Sequence, residues 1–277
     1  MNLTQFLHAA FYGVVQGVTE FLPVSSTAHL TLIPKLFGWP AGGIGFDVAL
    51  HTGTALAVIV FFYKRWTELI GAGFTSPRSP NGTLFWIIVV STVPASLVGV
   101  LFNDRIEPLQ ENPFIIGIML IVMGIVLWAV DRAARKRINK LTDINMNKGV
   151  TVGLAQCLAI IPGVSRSGIT ITAGRAMGIT RETAAEFTFL LSTPIILGDA
   201  GYHFIKMRSD RAAAAQLDAV GGNGAMAAGI IVSFIVGLIC IKFLLDFLKR
   251  RSLLAFSVYR FILGTAVFIL AVFGIIK

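Results

Sequence analysis

The sequence predicts an all-α integral membrane protein with about six transmembrane helices and two re-entrant broken-helix segments, arranged as an inverted-topology repeat. Hydrophobic residues make up 55% of the 277 positions and charged residues 13%, against roughly 25% charged in an average soluble domain. Two further observations predict this fold: the sequence contains six long apolar stretches, and two polar inserts interrupt apolar sequence. They favour helices, because a membrane barrel would show short alternating strands.

The first polar insert, residues 13–29, interrupts the first apolar segment. Residues 3–22 can form a helix, but Pro23 removes a backbone donor and disfavours helical geometry at the residue before it. The helix should therefore end or kink there. Hydroxyls that could cap a new short helix follow at Ser25, Ser26 and Thr27.

Three apolar stretches follow this segment, and three more follow the second insert. Each has the length of about 17 to 25 residues that a helix needs to cross the hydrocarbon core. The six predicted spans are 46–63, 84–102, 114–130, 185–205, 225–245 and 253–276.

The second insert, residues 162–170, has the same arrangement. Pro162 breaks the segment, Ser165 or Ser167 can cap the helix that follows, and Arg166 lies in its first turn. Two helix N-termini would then point into the membrane. Free backbone N–H groups, the positive end of the helix dipole, hydroxyls and a guanidinium suit a phosphate better than a neutral ligand.

A shift of 140 residues aligns the two inserts and the segments that follow them. The chain is thus predicted to be one membrane domain, 1–277, built from repeats at 1–140 and 141–277. Because each half contains three full spans, the second half must enter from the opposite side, which inverts its topology. The aligned identities pair Gly13 with Gly153, Gln16 with Gln156, Val24 with Val164, Ser25 with Ser165, Leu50 with Leu190, and Gly124 with Gly264.

Loop charges predict the orientation, since basic loops stay on the cytoplasmic side. The same rule and attraction to anionic headgroups account for the net charge of +9 without nucleic acid. Both termini and the first broken segment then face outward, as do the acidic loop at 103–111 and the mixed loop at 206–224. The basic residues after spans one, three and five are Lys64, Arg65, Arg78, Arg132, Arg135, Lys136, Arg137, Lys140, Lys148, Lys249, Arg250 and Arg251.

Glu20 and Arg166 are the strongest candidates for function, because each costs roughly 3 kcal/mol at a helix centre if it is unpaired. A purely structural ion pair is the alternative. Helical spacing puts Gln16 with Glu20 and Ser26 with His29 on shared faces, so Glu20, Ser26 and His29 could converge across the break. Hydroxyls that either hold phosphate or bond their own helices are Ser25, Thr27, Ser165, Ser167 and Thr170.

Other polar residues are assigned lesser roles. Carboxylates near helix N-termini are ordinarily stabilising, which is the role predicted for Asp47 and Glu186. His51 and Asp199 could line the path of a lipid, and Arg260 could anchor a helix or touch phosphate.

Three stretches of this sequence resemble the undecaprenyl-diphosphate phosphatases, the bacitracin-resistance family of bacterial membrane enzymes. They are QGVTEFLPVSSTAH at 16–29, PGVSRSGIT at 162–170 and EFTFLLS at 186–192. The resemblance implies hydrolysis of undecaprenyl diphosphate to undecaprenyl phosphate and inorganic phosphate at the outer face of the cytoplasmic membrane. That reaction recycles the lipid carrier of peptidoglycan and envelope polysaccharides and confers bacitracin resistance.

The resemblance also implies site residues. The family's acidic motif falls on Gln16 and Glu20, and this chain departs from it with Gln16 where many members carry a second carboxylate and Ala28 where they usually carry Gly. Gln16 weakens any scheme in which two acids hold a metal. The serine, the histidine and the arginine motif fall on Ser26, His29, Ser165, Arg166, Ser167 and Thr170.

Two schemes of phosphoryl transfer are open. Ser26 attacks the terminal phosphorus while Glu20 or His29 takes its proton, or His29 acts as the base for water or as the nucleophile. We favour Ser26, because it lies in the first turn beside the predicted phosphate site. Mg²⁺ or Ca²⁺ held by Glu20 and Gln16 suits oxygen ligands, and without a Cys/His cluster zinc is not expected.

A transporter or flippase of polyprenyl phosphate is the rival prediction, because paired broken helices in an inverted repeat are typical of transporters. The expected partners are a polyprenyl diphosphate and membrane lipids, with no nucleic acid. A homodimer is left open.

Overall fold

The computed structural model describes residues 2–40, 42–134, 138–207, 218 and 220–276. Its regular structure is helical in these residues, with one isolated bridge between Ile138 and Ile179. The helices are α1 Leu3–Thr19, α2 Ser26–Phe37, α3 Gly43–Phe61, α4 Tyr63–Thr75, α5 Pro80–Gln110, α6 Pro113–Ala133, α7 Met146–Gln156, α8 Arg166–Ala176, α9 Arg181–Met207, α10 Gly222–Arg250 and α11 Leu254–Val272.

Both predicted broken segments are confirmed. The first breaks between α1 and α2, and the second between α7 and α8. Ser25 accepts a hydrogen bond from the Ala28 amide at the start of α2, and Ser165 accepts one from the Gly168 amide at the start of α8. Ser25 and Ser165 have φ values of 75° and 72°, and no other non-glycine residue in the described ranges has positive φ. Such a conformation costs about 1–3 kcal/mol per residue, so the surrounding packing must impose it on both turns.

The described helices match the six predicted spans only in part. α5, α6, α10 and α11 are long and apolar enough to cross a membrane. The span predicted at 46–63 is α3, and α4 follows it at a bend of 77°, so the pair is either one broken span, which would be the fifth, or a re-entrant loop. The span predicted at 185–205 lies within α9. It is less apolar than the other spans because it contains polar residues, among them Thr188, Ser192 and Thr193, which are buried.

Glycines allow the broken helices to pack closely on two long helices. Gly13 and Gly17 of α1 lie against Val232 and Val236 of α10. In the same way, Gly153 of α7 lies against the backbone of α5. The broken helix of each half thus packs on a long helix of the other half, and the division into two repeats stays a prediction.

One end of the molecule is closed by a cluster of charges around Asp131 at the end of α6. Its carboxylate accepts from Arg175 Nε at 2.9 Å, from Arg181 Nε at 2.8 Å and from the Leu253 amide at 3.2 Å. This contact joins the ends of α6 and α8 to the starts of α9 and α11. Arg132 follows Asp131 in sequence, and Lys249–Arg251 precede Leu253. The predicted loop charges at 135–137 and 208–217 lie outside the described residues.

The opposite end carries the start of α1, the end of α2 and the α5–α6 turn. His8 of α1 stacks on Trp39 just after α2, with ring centroids 4.3 Å apart. Lys35 of α2 donates to the carbonyl of Glu111 in the α5–α6 turn at 2.7 Å. The N-terminus, the end of α2 and the α5–α6 turn thus lie at one end. Which side of the membrane this end faces stays a prediction.

Candidate active site

The two broken segments meet at Arg260 of α11, which is 0% exposed. Its Nη1 donates to the Pro23 carbonyl at 3.2 Å, and its Nη2 donates to the carbonyls of Gly163 at 2.7 Å and Val164 at 3.0 Å. Its Nε donates to the Leu120 carbonyl of α6 at 3.4 Å. One guanidinium thus supplies the donors that both turns need, which confirms Arg260 as an anchor of the helices.

Glu20 lies where these turns face each other, at the end of α1. Ser26 Oγ donates to Glu20 Oε2 at 2.7 Å, and Gln16 Nε2 donates to the same oxygen at 3.2 Å. Arg166 Nη1 approaches Glu20 Oε1 at 3.7 Å from the other segment. The Glu20 side chain is 7% exposed and that of Arg166 is 26% exposed, so the arginine is the more accessible end of the pair. The structure therefore brings together four of the predicted residues.

His29 does not join this group. Its Nδ1 lies 2.7 Å from the Ser25 carbonyl, and its Nε2 lies 2.6 Å from the Tyr259 hydroxyl on α11. The two rings stack with an interplanar angle of 7°. Because the ring bonds the carbonyl four residues earlier in its own helix, it turns away from Glu20 and Ser26. The predicted convergence holds for Glu20 and Ser26 only.

The hydroxyls predicted to bind phosphate divide into two groups. Thr170 is fully buried, donates to the Arg166 carbonyl at 2.7 Å and accepts from Thr188, so its hydroxyl is already satisfied within the helices. Ser25 pairs with Thr27 at 3.2 Å, and Ser165 pairs with Ser167 at 3.3 Å. Ser25 and Ser165 cap their helices, so each of these pairs lies at a helix N-terminus.

Two residues of α3 contact the site although neither was predicted to belong to it: His51 was expected only to line the path of a lipid, and Thr54 was given no role. His51 Nε2 lies 3.5 Å from Glu20 Oε2, and its Nδ1 lies 2.8 Å from the Asp47 carbonyl. Thr54 Oγ1 lies 3.5 Å from Gln16 Nε2. The spacing of Asp47, His51 and Thr54 at i, i+4 and i+7 is the signal that could have indicated a shared helix face.

The oxygen atoms around Gln16 and Glu20 fit a hard divalent cation. Gln16 Oε1 is buried and has no hydrogen-bond partner, which is an unusual state for a buried amide oxygen. Glu20 Oε1 has only the 3.7 Å contact with Arg166 among the contacts of the described residues. Amide and carboxylate oxygens are ligands of Ca²⁺ and Mg²⁺. In the described part of the chain, no group of three or more His, Cys, Asp or Glu could hold a metal ion.

A multi-pass helical fold that brings a serine, a carboxylate and an arginine together at two broken helices is the arrangement expected of an integral membrane hydrolase. The comparisons name its family. A family model described as bacitracin resistance protein BacA matches residues 9–266. The chain belongs to this bacitracin-resistance family.

Curated relatives agree over nearly the full length of the chain. An undecaprenyl-diphosphatase of Moorella thermoacetica is 47% identical over 267 residues, covering 96% of this chain and 97% of the relative. An undecaprenyl-diphosphatase of Pelotomaculum thermopropionicum is 46% identical over 265 residues, with 95% and 96% covered. One from Saccharophagus degradans is 42% identical over 271 residues, with 97% and 99% covered.

Proposed function

We propose that this chain hydrolyses undecaprenyl diphosphate to undecaprenyl phosphate and inorganic phosphate. The observation that carries the proposal is the hydrogen bond of 2.7 Å from Ser26 to Glu20, with Arg166 on the other side of the same carboxylate. A nucleophile, a base and a phosphate-binding cation thus lie together at two helix N-termini. The names of the relatives supply the substrate.

In the first step, Ser26 Oγ attacks the terminal phosphorus while Glu20 Oε2 takes the hydroxyl proton. The bond from phosphorus to the bridging oxygen breaks, undecaprenyl phosphate leaves, and a phosphoserine remains. Glu20 passes the first proton to the departing undecaprenyl phosphate and is a carboxylate again. In the second step, it takes a proton from the water that attacks the phosphoserine, and it gives this proton to Ser26 Oγ as the bond from phosphorus to that oxygen breaks and inorganic phosphate leaves. Arg166 and the free amides at the start of α2 and α8 neutralise the non-bridging oxygens.

His29 remains the alternative, as the base for water or as the nucleophile. Its contact with Tyr259 at 2.6 Å makes it the weaker candidate, since the Nε2 that would react is already bonded. We therefore assign His29 a place at the edge of the site, where its ring and Tyr259 link α2 to α11.

The proposed site faces the outer side of the bacterial cytoplasmic membrane, with both termini outside. The proposal is supported by the separation of the two ends: the Asp131 cluster and its basic neighbours lie at one end, and the N-terminus lies at the other. Hydrolysis on that side would recycle the lipid carrier for peptidoglycan and envelope polysaccharide synthesis and would confer resistance to bacitracin.

We further propose that Glu20 Oε1 and Gln16 Oε1 hold Mg²⁺ or Ca²⁺, which would offset negative charge on the diphosphate. Gln16→Glu is expected to lower the cation concentration for half-maximal activity several-fold, and Gln16→Leu is expected to raise it, because ligand charge tunes affinity for hard cations. Each shift is measured by removing bound cations with a chelator and then titrating the activity of each variant with Mg²⁺ and with Ca²⁺. Gln156 is the control, since it is the repeat counterpart of Gln16 and its buried amide is also unpartnered. Equal shifts in Gln16→Leu and Gln156→Leu would exclude Gln16 as a ligand.

The decisive test separates hydrolysis from flipping. Purified protein in detergent is expected to release phosphate from undecaprenyl diphosphate, and Arg166→Ala is expected to lower the rate by about 10²- to 10³-fold, as for other groups that stabilise transition-state charge. The exposed Arg78, replaced by Ala, is the control. In vesicles, transbilayer movement of polyprenyl phosphate without any phosphate release would support the flippase instead.

A further inference from the structure

We infer that His51 is a positioning residue that holds the Glu20 carboxylate against Ser26. His51 Nε2 lies 3.5 Å from Glu20 Oε2, the same oxygen that accepts the Ser26 hydroxyl at 2.7 Å. The inference rests on the proposed function, because it assigns His51 a task in the step that Glu20 performs.

Glu20 needs such support because the end of α1 does not fix its side chain alone. The residue lies just after α1, in the turn that leads to Pro23. The neighbours of Oε2 are Ser26, Gln16 and His51, and of these only His51 comes from an element outside the broken segment. A carboxylate free to rotate would lose the geometry that brings its oxygen to Ser26, and errors of about 1 Å can cost 10²-fold in rate.

His51 is itself held in a fixed orientation. Its Nδ1 lies 2.8 Å from the Asp47 carbonyl, one helical turn earlier in α3. Since a carbonyl oxygen only accepts, Nδ1 carries a hydrogen, and Nε2 donates to Glu20 when the ring is the doubly protonated imidazolium. α3 is fixed in turn by Gly53, which packs against Ser233 and the backbone of Ile230 in α10. Because α3 is packed against α10, the His51 ring has a fixed position and holds the Glu20 carboxylate in place.

The position of His51 distinguishes it from the groups that react. It contacts Glu20 Oε2 from α3, which belongs to neither broken segment, whereas Arg166 approaches Oε1 from the second broken segment. We therefore assign His51 no contact with the substrate. Its loss should reduce kcat and leave KM nearly unchanged, because Ser26 and the phosphate-binding groups remain.

The experiment measures kcat and KM for phosphate release by wild type and three variants in detergent. His51→Leu is expected to lower kcat about 10- to 100-fold, as for other residues that orient a reactive group, with KM within about threefold of wild type. His51→Gln places an amide N–H near the position of Nε2 and is expected to recover most of kcat. His8→Leu is the control, because His8 stacks on Trp39 at the outer end and should keep full activity.

A double-mutant cycle completes the test. In a Glu20→Gln background, His51→Leu is expected to cost less than about twofold, because the carboxylate that it positions is gone. Full kcat in His51→Leu would overturn the inference, as would an equal loss in both backgrounds or a His51→Gln no better than His51→Leu. Wild-type protein that releases no phosphate would overturn the proposed function and the inference together, whereas the other outcomes bear on His51 alone.

Discussion

Ser26→Ala is expected to lower phosphate release by at least about a thousandfold, the scale seen when a nucleophile is removed from a preorganised site. The mutation removes the oxygen that lies 2.7 Å from Glu20 Oε2 at the start of α2. The phosphate-binding groups and Arg166 stay in place, so KM should change much less than kcat. Phosphate release from undecaprenyl diphosphate in detergent, at saturating substrate, measures the effect.

The matched control is Ser91→Ala. Ser91 is 0% exposed, and its hydroxyl has no hydrogen-bond partner, so alanine should keep full activity and stability. Substrate labelled in the terminal phosphate should give acid-stable phosphoserine on wild type and none on Ser26→Ala. An acid-labile label on the protein, or a Ser26→Ala variant within tenfold of wild type, would contradict the serine mechanism and favour His29.

The local features of the site could be predicted from sequence because they follow from covalent chemistry. Pro23 cannot continue a helix, and the hydroxyls that follow it can cap the next one, so the break and the Ser25 cap needed no tertiary information. The contact of Glu20 with Ser26 follows from the short turn that separates them. Arg166 could be predicted as their partner because an unpaired charge in a membrane is so costly.

Contacts between distant helices could not be predicted in the same way. His29 and His51 are both histidines within apolar sequence, and the sequence does not show which of them reaches the site. In the structure His29 pairs with Tyr259, 230 residues away, and His51 faces Glu20. Which face of α3 meets the site depends on its rotation against α10, and that rotation is set by the close approach at Gly53. The helical spacing of apolar residues in the sequence does not determine this rotation.

The charged cluster around Asp131 shows the same limit. Asp131 directly follows the span predicted at 114–130. The basic residues from Arg132 to Lys148 come after it, and from sequence this stretch was interpreted only as a basic loop. In the structure its carboxylate joins Arg175 and Arg181 from the second half. The count of basic residues in loops predicts the orientation of the chain in the membrane, but it does not identify which charged residues form ion pairs.

Arg260→Met is expected to destabilise the protein by at least about 3 kcal/mol, because each buried carbonyl left without a donor costs about 1–3 kcal/mol. Three carbonyls of the two turns lose their donor at once, those of Pro23, Gly163 and Val164, whereas the Leu120 carbonyl keeps its bond within α6. At about 2–4 °C per kcal/mol for a chain of this size, the Tm in detergent should fall by about 6 °C or more. Activity should fall as well, since both broken segments lose their common support.

Arg260→Lys distinguishes the shape of the guanidinium from its charge. A lysine keeps the charge but cannot reach carbonyls on both sides with a planar fork, so we expect a Tm between those of wild type and Arg260→Met. The exposed Arg78, replaced by Met, is the control for loss of a positive charge and should leave the Tm within about 2 °C. If Arg260→Met also stayed within that range, the two turns would be held by other contacts, such as Ser167 Oγ to the Leu22 carbonyl at 3.2 Å. The sensitivity of activity to Arg260 would then have to come from contact with phosphate, the second role that the sequence suggested for this residue.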